Sequence, residues 1–146
     1  MAAMLVFFPQ RVVSAEDAAV QAGALLSAGR PADAEAAVSG CPSPECRLVL
    51  ARALFAQGRL KEAASAAGGA GELGPLAPYG QVLRGEALLL SGSPLDAVEP
   101  LRAASTSDGP PSLRASALLA TLCLRPAVSP PPARWPNGRP RLPDSR

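Results

Sequence analysis

Few side chains in this 146-residue sequence are equipped for bond-making chemistry. There is no histidine, and there are only three cysteines, Cys41, Cys46 and Cys123. That removes Ser-His-Asp and Cys-His nucleophilic catalysis, histidine-ligated metals and a histidine pH switch. Three cysteines without histidine cannot complete a four-ligand Cys/His zinc site. The run Cys41-Pro42-Ser43-Pro44-Glu45-Cys46 sets two thiols around a proline-bent turn. An oxidising compartment would allow a disulfide there, and the cytosol would keep both thiols free, so the spacing leaves both states open. The pair lacks the C-x-x-C spacing of thiol redox catalysts. Cys123 lies in an apolar stretch and is expected to act as a small buried hydrophobe.

Two other motifs invite chemical readings. Gly69-Ala70-Gly71-Glu72-Leu73-Gly74 satisfies G-x-G-x-x-G. A dinucleotide site needs a strand before that motif and a βαβ unit around it. Here an Ala-rich helical pattern precedes it and Pro75 follows, so a flexible loop between hairpins is expected, with no cofactor. The net charge of +2 suggests a weakly basic protein. Yet Arg125–Arg146 holds five Arg and one Asp, while Met1–Leu124 holds nine basic and eleven acidic residues. The body is near neutral and offers no basic surface for nucleic-acid phosphates. Arg134-Trp135 supplies one aromatic, too few for a base-stacking array.

The elements that position these groups follow from a repeat. Apolar residues make up 48% of the chain and aromatics 3%, so a core must be built from Ala, Leu and Val. Three segments align on Gly29, Gly58 and Gly92. Seven residues before each glycine sits a small residue: Ala22, Ala51 or Gly85. Leu25, Leu54 or Leu88 lies four before, and Leu26, Phe55 or Leu89 three before. An acid follows four after (Asp33, Glu62, Asp96), then Ala34, Ala63 or Ala97.

Each position has its own physical reason. The glycine ends a helix where left-handed backbone is cheap only without a Cβ. Pro31 and Pro94 suit the first turn of the next helix, where no N–H partner is needed. The acid meets the positive end of that helix's dipole. The small residues let helices approach, and leucines, Leu54 and Leu88 among them, fill the seam.

The pattern predicts seven helices, over about 14–28, 31–40, 45–57, 60–67, 76–91, 94–104 and 112–124, with Pro100 kinking or shortening the sixth. No stretch approaches the ~20 apolar residues of a membrane span. Met4–Phe8 is too short for a secretory h-region. Val13-Ser14-Ala15 nevertheless matches a small-residue cleavage pattern, so residues 1–13 are read as an N-terminal segment that would be a signal-peptide remnant. Ser14 with Asp17 also reads as a helix cap.

The small–Leu–Gly–acid–Ala spacing over residues 16–124 resembles the tetratricopeptide-repeat (TPR) family. Gly58 and Gly92 are 34 apart, the family's period, although Gly29 and Gly58 are 29 apart. The family's first-helix Trp and Tyr are absent, while Tyr79 opens the third hairpin. The resemblance implies an all-α fold: a TPR-like α-solenoid of about three helix–turn–helix hairpins plus one unpaired helix, over 14–124. It also implies a protein- or peptide-binding scaffold, not an enzyme, with a concave groove lined by first helices. Arg52 and Glu86 would point into that groove with Phe55, Tyr79 and Leu89.

More narrowly, Ala77–Leu89 looks like the superhelical region of periplasmic soluble lytic transglycosylases, and of repeat modules in cell-envelope assembly lipoproteins. In the transglycosylases catalysis belongs to a separate C-terminal domain with a Glu-Ser motif, and no Glu-Ser pair occurs here. That resemblance implies an inactive fragment and favours the periplasm or cell envelope.

After Leu124 the pattern breaks. Seven of the last 22 residues are proline, which blocks helix and sheet, so 125–146 is expected to be a disordered Pro/Arg-rich tail. The last helix carries Leu118, Leu119, Leu122 and Leu124 with no partner helix after it, and self-association through that face is expected.

Overall fold

The computed structural model describes residues 14–70 and 74–124. Those residues form seven α-helices and no strand: α1 (Ala15–Ser27), α2 (Pro31–Val38), α3 (Pro44–Ala56), α4 (Leu60–Ala70), α5 (Ala77–Leu90), α6 (Pro94–Ser105) and α7 (Pro110–Leu124). A single 3₁₀ turn, Gly74–Leu76, precedes α5. The expected signal remnant at 1–13 and the expected tail at 125–146 lie outside the described residues.

The three repeat glycines build one and the same bend. Gly29, Gly58 and Gly92 have φ of 72°, 77° and 89°, the left-handed region that L side chains avoid. At the first bend the Gly29 N–H donates to the Leu26 carbonyl (3.0 Å) and the Arg30 N–H to the Leu25 carbonyl (2.9 Å). The same pair recurs from Gly58 to Phe55 and Arg59 to Leu54, and from Gly92 to Leu89 and Ser93 to Leu88. These are Schellman closures, which satisfy the last free carbonyls of the helix and turn the chain back. The two large apolar positions of the repeat therefore serve twice. Their side chains pack, and their carbonyls close the bend.

Each bend folds the following helix back along the preceding one, so α1–α2, α3–α4 and α5–α6 are antiparallel partners. The odd-numbered helices also touch in sequence, α1 to α3, α3 to α5 and α5 to α7. Small residues make the close approaches. Ala22, Ala51, Ala34, Ala63 and Ala97 are fully buried. At Gly85 an added Cβ would lie 2.5 Å from Leu101 Cγ, so the Leu101 side chain of α6 packs directly on the α5 backbone there.

Local signals set the helix starts. The Ser14 hydroxyl accepts the Asp17 N–H (3.1 Å) and donates to the Asp17 carboxylate (2.8 Å), the cap expected at α1. Ser43 caps α3 by accepting the Cys46 N–H (3.2 Å). Prolines occupy the first turns of α2, α3, α5 and α6, where the ring costs no hydrogen bond.

Several expectations are corrected. α4 does not stop at 67 but runs through Gly68 and Gly69 to Ala70, so the first part of the glycine motif is helix. Residues 71–73 of that motif lie outside the described residues. A Cβ added at Gly69 would meet Arg47 Nη1 at 2.9 Å, too close without a shift, whereas at Gly68 it would meet Arg84 Nη1 at 3.5 Å, an ordinary contact. Pro100 sits buried inside α6, which continues to Ser105. Cys123 is exposed, not buried. The inward stripe of α7 is Ala115, Leu118, Leu119 and Leu122, and Cys123, in the last turn at the edge of that stripe, stays exposed. Most of the uneven repeat interval comes from α4, which has 11 residues where α2 has 8, and the rest from a longer link and a longer α5.

Candidate functional site

α3 and α5 touch only sparingly, and a cleft of about 580 Å³ opens between them. Its walls are single helical faces. On α3 these are Leu48, Arg52, Phe55 and Ala56, spaced i, i+4, i+7, i+8. On α5 they are Tyr79, Val82, Leu83 and Glu86, spaced i, i+3, i+4, i+7. Such spacings put side chains on one side of a helix. Leu26 of α1 closes one end, and Pro110, Pro111 and Arg114 of α7 form the other rim.

Four of the five groove residues expected from sequence therefore meet here: Arg52, Phe55, Tyr79 and Glu86. Leu89 does not. It packs with Val82, Leu101 and Ala115 in the core shared by α5, α6 and α7. Leu118, Leu119 and Leu122 of α7 pack on the same core, and Leu89 does not line the cleft. Leu48, Leu83 and Arg114 were not anticipated. Leu48 and Leu83 carried a usable signal, lying one turn before Arg52 and Glu86 respectively.

The charges in the cleft are unequal in their commitments. Arg114 Nη2 donates to both carboxylate oxygens of Glu86 at 2.8 Å, tying α7 to α5. Glu86 is the sheltered member, its side chain 21% exposed against 63% for Arg114. Arg52 is exposed and has no ion-pair or hydrogen-bond partner among the described residues. Tyr79 is 45% exposed at the edge.

A second polar cluster lies outside the cleft. Arg59, just after the second bend, binds Glu62 of α4 and both carboxylate oxygens of Glu35 of α2, the latter at 2.8 and 2.9 Å. Gln57 donates to Glu35 (2.8 Å) and to the Pro31 carbonyl (3.3 Å). The Gln57 amide first, and then Arg59, hold the Glu35 carboxyl below its ordinary value. The hydrogen bond from Arg59 lowers Glu62. The two acids, Glu62 foremost, raise Arg59, which stays charged throughout. The first bend carries the same local pair, Arg30 with Asp33 at 2.6 Å. The third has Ser93 in place of arginine and lacks it.

Cys41 and Cys46 are disulfide-bonded, with Cα atoms 6.0 Å apart, across the link from α2 to α3. Cys46 is buried in the first core, between α1, α2 and α3. Among the described residues no group of three or more His, Cys, Asp or Glu side chains is placed to hold a metal ion. No described helix is long and apolar enough to cross a membrane. No family model, curated protein or solved structure matches the chain.

Proposed function

We propose that this chain is a TPR-like α-solenoid that binds a peptide segment of another protein in the α3–α5 groove, with no bond-making step of its own. The observation that carries this reading is the groove itself. It is concave, mostly apolar, and lined by one face from each of two first helices of the repeat. Sites that take ligands share this character, with a few polar groups set in an apolar wall. The three identical bends and the sequential contacts of α1, α3, α5 and α7 support the solenoid reading. Binding then rests on complementarity, with Phe55 and Leu83 as the apolar anchors.

The test is selection of a random dodecapeptide library against the full chain, with each enriched peptide measured again on a Leu83→Asp variant. Enriched peptides should bind the variant about tenfold or more weakly, as expected for a central apolar contact replaced by a charge. No enrichment, or binding indifferent to Leu83→Asp in a variant whose helical circular dichroism is intact, overturns the proposal.

A further inference from the structure

We infer that the groove selects segments carrying an Asp or Glu side chain beside apolar residues, and that Arg52 receives that carboxylate. This inference rests on the peptide-binding reading above and adds the chemistry of the partner.

Three charged side chains line the cleft, and two of them are spent on each other. Glu86 already takes a hydrogen bond on both oxygens from Arg114, so a cationic ligand would meet no free carboxylate. Arg52 is the remaining charge. Arg30, Arg59, Arg102 and Arg114 all have carboxylate partners. Arg47 and Arg84 lie against the glycines at the end of α4. Arg52 alone among the described arginines stands unpaired in the apolar cleft, which leaves the groove at net +1.

Its neighbours give the rest of the pattern. Leu48 lies one turn before Arg52 and Leu83 faces it from α5, both half-buried and in none of the three core clusters. A segment with an apolar residue on each side of an acid would cover these leucines while its carboxylate reaches the guanidinium. A guanidinium offers planar paired donors that fit a carboxylate. The chain's own segment 125–146 is the wrong occupant on charge, with five Arg and one Asp against a positive groove. The expected occupant is an acidic, leucine-bearing segment of a different protein.

The experiment is a library selection run in parallel on the wild-type chain and on Arg52→Glu. Peptides are displayed through their C-termini, so no terminal carboxylate is on offer. The wild type should enrich Asp or Glu flanked by apolar residues. Arg52→Glu should lose those peptides by about tenfold or more and enrich Lys or Arg in their place. Arg52→Lys should keep most of the binding. Peptides that bind the groove, as judged by Leu83→Asp, but show no acid preference or survive Arg52→Glu would overturn this inference and leave the peptide-binding reading standing. Failure to enrich any groove-dependent peptide would overturn both. Enrichment of sequences matching this chain's own segments would assign the groove to self-association and also overturn it.

Discussion

The seam between α5 and α7 is filled, whereas the seam between α3 and α5 is open. In the first, Leu118, Leu119 and Leu122 lie on the Val82–Leu101–Ala115 core, and Leu89 is drawn in with them. In the second, Arg52, Tyr79 and Glu86 stand among Leu48, Phe55 and Leu83 along an open cleft. Both seams join consecutive odd-numbered helices. The lesson is that a repeating bend sets which helices become neighbours, while the residues on the facing stripe decide whether the neighbours close. Closure yields stability, and failure to close leaves an open cleft.

The sharpest way to break this contrast is Leu101→Ala. Leu101 is fully buried in the closed region, and truncation should cost about 2–5 kcal/mol in urea unfolding. Leu54→Ala should cost a comparable amount, since Leu54 is 5% exposed beneath α4. Leu88, half-buried between two clusters, should cost less. Next is Gly85→Ala, which forces a methyl to within 2.5 Å of Leu101 and should cost about 1–3 kcal/mol. The two changes touch the same space, so the Gly85→Ala/Leu101→Ala double variant should be more stable than the sum of its parts predicts. Strict additivity would mean that the Leu101 side chain does not rest on Gly85.

On the open side, Leu83→Ala should change stability by less than about 1 kcal/mol while weakening groove binding, though less than Leu83→Asp does. A loss as large as that at Leu101 would show the seam to be closed in solution.

The smallest effect concerns the charged cluster. Glu35 and Glu62 have folded-state values lowered from the ordinary 4.5. Their contribution is fully present above the ordinary value and is lost as pH falls through the lowered ones. The urea midpoint followed from about pH 7 to about pH 3 should therefore fall less steeply in Glu35→Gln than in wild type. Identical profiles would remove the cluster from the stability account. Thiol titration should find one reactive group, the exposed Cys123, before reduction and three after. Three before reduction would mean that the Cys41–Cys46 bridge is absent.

Much of the fold is legible in the chain because helix ends are local events. A glycine in left-handed backbone, two leucine carbonyls and a proline or acid in the next turn all lie within nine residues of one another. The helix starts at 31, 60 and 94 follow directly from those bends. The end of α4 was not legible, because Gly68 and Gly69 read as breakers until Arg47 and Arg84 from two neighbouring helices are seen resting on them. The groove was legible in part. Arg52 and Glu86 hold the same position of the repeat, six before Gly58 and Gly92, whereas Arg114 reaches Glu86 from 28 residues away, which no short-range pattern records.

The residues alone thus determined the seven rods and the places where the chain turns, since those depend on hydrogen bonds and φ angles within a few positions. Only the assembled molecule decided which faces are covered. α7 draws Leu89 inward and leaves Cys123 outside, and it spends Glu86 while Arg52 stays unpaired. Burial and charge pairing depend on the helix lying opposite, and that helix is set by three-dimensional packing.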